Sequence, residues 1–262
     1  MGPQNTQKIR EKIDISIEQI SPDMSGVLAM QGIPLGTPPP ERVKALYDSA
    51  VEIFWTLAAP VGIMEDISIS EFEEVYRGNG MNESDTPLEH IFPRASHLAL
   101  FAFTLGETVS REIERYFKGN GLALGYMLDA VASYCAEKAS GVGENILADR
   151  LIPGGKSNES LRVLMYSPGY CGWHVSGQGK LFEYLKPEEI GVDLTDSFLM
   201  VPLKSISGVL VAGERDIHKF INNYPFCSLC RTKTCRTRQH AAAPVLQSPE
   251  DSPVTSIISN PK

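Results

Sequence analysis

Apolar and polar positions along the chain alternate between two periods. Ile13-Asp-Ile-Ser-Ile-Glu-Gln-Ile20 follows the two-residue period of a half-buried strand. From Glu41 to Ala58 the period lengthens. Val43, Leu46, Tyr47, Ala50, Phe54 and Leu57 recur at helical spacing and form one apolar stripe. Pro40 suits the start of that helix, because it gives up only an N–H that has no partner in the first turn; Pro60 stops it. Asp66-Ile-Ser-Ile69 alternates again and runs into Ser70-Glu-Phe-Glu73. That spacing is a capping box, which predicts a short helix closed by Gly78-Asn-Gly80. Ser21 to Asp23, Gly32 to Pro40 and Gly80 to Pro93 read as turns and loops.

The nine residues His97 to Leu105 are almost all apolar, which predicts a strand buried on both faces. A buried helix is the alternative that periodicity alone leaves open. Helices follow from about Thr108 to Phe117 and from about Ala123 to Leu151, the second with a possible bend at Gly141 and Gly143. Its apolar face carries Leu124, Met127, Leu128, Val131, Ala132 and Cys135, which makes Cys135 a core cysteine. Leu161 to Met165 is a short apolar run, and Lys180 to Leu185 a helix. Phe198 to Val201 and Ile206 to Ala212 read as strands. The short separation between them, Pro202-Leu-Lys-Ser205, predicts a hairpin. A last helix is expected from Glu214 to Asn222. Helices dominate the first half and paired strands the second, so the fold class expected is α+β.

Composition narrows this picture. The 262 residues suffice for one large domain or two small ones, and 42% hydrophobic content suits a sizeable core. A net charge of −8 argues against nucleic acid as partner, since phosphate contacts need a basic surface. No secretory signal and no membrane span is visible, so a cytoplasmic location is expected. Five cysteines are an odd number, better suited to metal or redox chemistry than to a disulfide framework.

Two stretches carry candidate chemistry. In Tyr166-Ser-Pro-Gly-Tyr-Cys-Gly-Trp-His174, Pro168 and Gly169 force a turn that bears large, chemically able side chains. Such a turn is a candidate binding surface, with Gly169, Tyr170, Trp173 and His174 as its contact residues and an ordinary loop as the bland alternative. In Cys227-Ser-Leu-Cys230-Arg-Thr-Lys-Thr-Cys235, two cysteines separated by two residues can point both thiolates at one ion, and a third can complete one face. Zinc or an iron–sulfur cluster would want a fourth ligand, from Cys171, His174, His218 or His240. Cys171 would tie the turn to the cysteine motif. Nearby Arg231, Lys233, Arg236 and Arg238 would favour thiolates. A redox-active thiol tail is the alternative. Gly154-Gly-Lys-Ser157 is not a phosphate-binding loop: the pattern needs Gly at position 150, which is Arg150, and it follows a helix, not a strand.

From Leu98 to Ile217 the chain resembles the activation domain of cobalamin-dependent methionine synthase and its stand-alone relatives associated with corrinoid methyltransferases. The resemblance rests on Tyr166-Ser-Pro-Gly-Tyr-Cys171, Phe103-Thr-Leu-Gly106, Gly125-Tyr-Met-Leu-Asp-Ala-Val-Ala132, Asp196-Ser-Phe-Leu-Met-Val-Pro202 and Ser205-Ile-Ser-Gly208. It implies a twisted antiparallel sheet with flanking helices. It also implies a corrinoid protein as partner, whose cobalamin is rescued when its cobalt is oxidised. In the synthase this domain presents S-adenosylmethionine to the reduced cobalt. Of the family's Arg-x-x-x-Gly-Tyr motif, Gly169 and Tyr170 are present, but the Arg position is Met165, which has no donor for a ligand carboxylate. Arg162 is a candidate replacement, on the opposite strand face. A helix carboxylate of the synthase aligns with Ser133, and a tyrosine pair after Gly208 has no counterpart.

The expected organisation is an N-terminal region over 1–95 packed on an activation-domain-like core over 96–224, a cysteine-rich metal or cluster motif over 225–238, and a disordered tail over 239–262. The expected function is that of an accessory protein which docks on a corrinoid methyltransferase and reactivates or maintains its cobalamin, with a cysteine-bound cluster delivering an electron. The alternatives are S-adenosylmethionine-dependent reductive methylation of cobalamin, and a non-catalytic binding subunit with structural zinc. A complete methionine synthase is not expected at this length.

Overall fold

A computed structural model describes residues 8–152, 161–219 and 224. The chain opens with strand β1 (Arg10–Asp14), helix α1 (Met24–Met30), helix α2 (Glu41–Leu57) and strand β2 (Val61–Ile67). Helices α3 (Ile69–Arg77) and α4 (Pro87–Ile91) lead to strand β3 (His97–Thr104), then helices α5 (Glu107–Lys118) and α6 (Leu122–Leu151). Strand β4 (Leu161–Tyr166), helix α7 (Gly177–Leu185) and the short strands β5 (Asp193–Leu194) and β6 (Met200–Val201) precede strand β7 (Ser205–Glu214). The order in the main sheet is β1-β2-β3-β7-β4, every neighbour antiparallel. The α+β class read from the sequence is the class observed, and β1 and β2 extend the same sheet as β3, β7 and β4.

The sheet has an apolar layer on each side, and the two-residue period of β3 assigns its side chains to them. Phe101 and Phe103 face α2 and α6, where they meet Phe54, Leu128, Val131 and Cys135. Leu98, Leu100 and Ala102 face α3 and α7, where Phe72, Trp173, Leu181 and Phe182 complete a second core. Every β3 residue after His97 is buried, which is why its sequence is continuous in apolar residues instead of alternating. Burial drives the Cys135 thiol up to about 12, so it is an inert core group.

Close packing around the Phe103 ring depends on two glycines. The Phe103 ring lies against Gly62 of β2 on one side and Gly143 of α6 on the other. A Cβ built on Gly143 would stand 2.7 Å from that ring, and one on Gly62 would overlap it. α6 runs through Gly141 and Gly143 as one helix of 30 residues.

Five local readings need correction. The first strand spans Arg10–Asp14, not Ile13–Ile20. Ser16 to Ile20 turns, with the Gln19 side chain accepting from the Ser16 N–H at 2.8 Å, although Ile15 and Ile20 still enter the core. The capping box of α3 is Ser68 with Glu71, not Ser70 with Glu73; Glu71 is shared with Lys8, whose contact lowers its carboxyl to about 2. The stretch read as loop holds α4, capped by Thr86 and Glu89 with Pro87 in its first turn. Most consequentially, β6 does not form a hairpin with β7. It pairs with β5 in a separate two-stranded sheet. β3 occupies one edge of β7 from Ser205 to Ala212 and β4 occupies the other from Val209 to Glu214, so β7 has a strand on each side without β6. Beyond Glu214 a short 3₁₀ turn, Arg215–His218, stands where a longer helix was expected.

Candidate functional site

β4 is an edge strand, and its outer backbone groups need partners from elsewhere. Glu144 of α6 supplies one: its carboxylate accepts the Met165 N–H at 2.9 Å. After Tyr166 the chain leaves the sheet and folds on itself. The Tyr170 N–H donates to Ser167 O (3.2 Å), the Trp173 N–H to Tyr170 O (3.0 Å), and the Gly169 N–H to Trp173 O (2.7 Å). Gly169 and Gly172 take positive φ of 91° and 77°, and Cys171 takes 52°, a conformation rarely adopted by a residue with a side chain. The 82–83 segment holds the turn from outside: the Glu83 N–H donates to Gly172 O, and the Asn82 side chain accepts from the His174 N–H, both at 2.9 Å.

A cavity of about 500 Å³ opens beside this turn. Ser167, Pro168, Tyr170 and Cys171 form one wall, and Leu164 and Met165 of β4 the base. Ser133, Ala136 and Glu137 of α6 form a second wall. Met200, Leu203, Lys204 and the start of β7 form the third. Met30 of α1 and Gln178 of α7 complete it. The interior is mostly apolar with a few placed polar groups, as small-molecule sites are.

Two of those polar groups are fixed by neighbours. The Lys204 ammonium donates to Ser133 Oγ and to Asp129 Oδ1, each at 2.8 Å, while the side chain is 9% exposed. Burying an ammonium is costly unless it has such partners. Gln178 is buried, and its carbonyl oxygen accepts from the Ser207 hydroxyl at 2.6 Å. Its amide nitrogen is thereby left as the end that can serve the cavity.

The sequence-derived site residues separate into three groups. Tyr170 and Cys171 line the cavity, and Gly169 makes the turn that aims them. Trp173 and His174 face elsewhere. Trp173 is buried in the core under α3, edge-on to Phe72 at 5.7 Å, and packs so closely on Gly177 that no Cβ fits there. His174 accepts from the Ser176 N–H at 3.2 Å through Nδ1 and thereby serves the start of α7. Cys227, Cys230, Cys235 and His240 lie outside the described residues. His218, a candidate fourth ligand, is committed to other partners: Nδ1 to the Tyr166 hydroxyl at 2.9 Å and Nε2 to Arg162 O at 3.3 Å. Among the described residues no group of three His, Cys, Asp or Glu is arranged to hold a metal. Nor is any described helix long and apolar enough to cross a membrane.

Met165 stands in the cavity base without a donor, and Arg162 does not line the cavity. The cation that does is Lys204. It has no prominence in the sequence, because it sits in a segment read as a hairpin connection. The available signal was the pair Asp129 and Ser133, four residues apart on α6 and thus on one face.

Residues 91–220 match the family described as vitamin B12 dependent methionine synthase, activation domain. The fold is similar to the crystal structure of the MetH reactivation domain bound to AdoHcy, with a TM-score of 0.56 and 15% sequence identity over 82% of this chain and 80% of that chain. No curated protein matches the sequence. The structural likeness establishes the fold, a twisted antiparallel sheet flanked by helices, and the family match carries the relationship further. Over residues 91–220 the chain is homologous to the activation domain of vitamin B12 dependent methionine synthase.

Proposed function

We propose that this protein is an accessory factor that docks on a corrinoid methyltransferase system and reactivates or maintains its cobalamin. The observation that carries the reading, given the family, is the surface around the cavity mouth. Met30, Tyr170 and Leu203 line the cavity and are exposed, and Leu199 and Val201 beside them are exposed as well. Exposed apolar side chains clustered around an opening mark an interaction face. The cobalamin would belong to the partner, and this face would cover it.

The test is complex formation with a purified corrinoid protein of a methyltransferase, followed by sedimentation and by the absorbance of the bound corrinoid. A complex is expected, and Leu203→Asp should weaken it at least about tenfold, since a charge placed in an apolar contact must be desolvated. Failure of the unmodified chain to associate would remove the proposal. The finer role, electron delivery through a cluster on Cys227, Cys230 and Cys235 with Cys171 as a candidate fourth ligand, has its own test. Protein prepared without oxygen should carry iron and a visible charge-transfer absorbance. Zinc without such absorbance would favour a structural site in a binding subunit.

A second reading is favoured by the cavity itself. Its volume and its fixed polar groups suit a nucleoside-sized ligand such as S-adenosylmethionine, and the similar reactivation domain was crystallised with AdoHcy. Calorimetric titration decides this reading. Heat saturating below millimolar ligand is expected, and none at millimolar ligand would exclude it.

A further inference from the structure

We propose that Arg94, Arg162 and Arg215 form a site for a phosphate group, at the end of β4 away from the cavity. The inference is independent of the docking proposal and of whatever enters the cavity.

The three arginines come from separate parts of the chain and are placed around one contact. Arg162 stands opposite Gly213 in the pairing of β4 with β7. A Cβ built on Gly213 would lie 3.7 Å from Ala95 Cα and would overlap the Ile217 side chain. The segment around Ala95 and the turn Arg215–His218 therefore touch there, beside the start of β4. The Ser96 N–H donates to Ala212 O at 2.8 Å and fixes the first against β7. His218 Nε2 donates to Arg162 O at 3.3 Å and fixes the turn against β4. Arg94 immediately precedes Ala95, and Arg215 opens the turn. All of this lies on one side of the sheet. Arg162 shares its strand face with Leu164 and Tyr166, which join the same apolar core as Phe92 and Ile217.

What sets these arginines apart is the lack of a counter-charge. Among the described residues, none of the three guanidinium groups has a hydrogen bond or an ion pair. Arg162 Nε and Arg215 Nε are buried without an acceptor. Such a donor costs about 1–3 kcal/mol, and folded proteins rarely keep one unless water or an ion supplies the acceptor. The neighbouring acids do not supply it. Asp216 is engaged by Lys219, whose ammonium lowers its carboxyl pKa most, with Arg94 adding to the effect. Glu214 follows Gly213 on β7, so its side chain points to the other face of the sheet. Glu89 is occupied in capping α4 at the Thr86 N–H.

Charge then selects the ligand. Three uncompensated guanidinium groups make a local positive patch on a chain whose net charge is −8. A carboxylate would neutralise only one of them. A phosphate dianion carries more charge and more acceptor oxygens, and the fork of a guanidinium meets those oxygens in pairs. Arg94 is exposed and the other two are half-buried, so the group can enter from solvent and still meet donors fixed in place.

The experiment is calorimetric titration of the full chain with inorganic phosphate, ribose 5-phosphate and acetate at one ionic strength. Phosphate is expected to bind saturably, and acetate not to bind over the same range. Tighter binding of ribose 5-phosphate would assign the group to a larger molecule, and equal or weaker binding to the free ion. Arg162→Met and Arg215→Met should each weaken phosphate by about 10- to 100-fold, the usual effect of losing a hydrogen bond to a charged group. Arg162→Lys keeps the charge without the fork and should fall between. Arg42→Met, on the exposed side of α2, should bind as the wild type does. Thermal melting gives a readout that loss of packing would not. Without phosphate, both Met variants should melt no lower than the wild type, since each removes an unpaired buried donor. Phosphate should then raise the melting temperature of the wild type well above that of either variant. No saturable binding by the wild type, equal binding of acetate, or undiminished binding by both Met variants would overturn the site. Weakening by Arg42→Met as large as that by Arg162→Met would leave an adventitious ion only.

Discussion

His218 shows how one buried side chain sets a pH limit on the whole fold. Its Nε2 can only donate to the Arg162 carbonyl, so Nδ1 carries the lone pair and the Tyr166 hydroxyl donates to it. That arrangement belongs to the neutral ring, and burial holds its pKa down to about 4 against 6.5 in the unfolded chain. The unfolded state binds the proton first on acidification. Stability contributed by the neutral ring is therefore complete above pH 6.5 and is lost as the pH falls toward 4. The loss is on the order of 3 kcal/mol. Urea unfolding at pH 7 and at pH 4.5 should show this difference in the wild type. His218→Gln keeps hydrogen-bonding atoms but cannot titrate, so it should show a smaller one. An equal pH dependence in the two proteins would refute the assignment.

Elements of the fold are secured at their ends and edges, and these places separate what the sequence disclosed from what it did not. β4 has one open edge, and Glu144 closes part of it. Glu144→Ala should leave the Met165 N–H without that acceptor, cost about 1–3 kcal/mol, and speed hydrogen exchange at that amide; Glu144→Gln should retain most of the protection. The start of α3 gives a sharper contrast. Ser68→Ala should cost about 1 kcal/mol in chemical denaturation, while Ser70→Ala should be nearly silent, because Ser68 occupies the capping position. Both serines have a glutamate three residues on, so spacing alone could not choose between them. Helices α2 and α5 are plain in the sequence, because each buries a stripe and exposes the rest, whereas α6 is marked by its length and by the helical spacing of Met127, Leu128, Val131, Ala132 and Cys135. Most of β2 was not: Gly62, Ile63 and Met64 are all buried, so no alternation marks the strand's first half. The cavity was half legible. Tyr170 and Cys171 stood out as chemistry on a turn. Lys204 did not, because its partners lie 71 and 75 residues earlier and meet it only through tertiary packing.

At the scale of the whole molecule, the sheet separates two apolar layers, and the proposed docking face lies where β4 gives way to its turn. This separation makes stability and association independently testable. Gly143→Val, on α6 but not among the residues that line the cavity, would press a side chain against the Phe103 ring and should cost about 1–3 kcal/mol. Leu203→Asp, on the surface, should leave melting nearly unchanged while it weakens the corrinoid complex. A Leu203→Asp variant that melted early would show that the exposed rim serves folding instead.

The helix that forms one cavity wall also carries Gly143, whose lack of a side chain lets the helix rest directly on the Phe103 ring. Moving that wall outward would open a gap beside an aromatic ring at the centre of the sheet, and moving it inward is blocked by the same ring. The cavity should therefore exist at its full width before anything enters. Stopped-flow mixing with a ligand that binds should give one observed rate that rises linearly with concentration. A plateau would require a preceding rearrangement, which this contact disfavours.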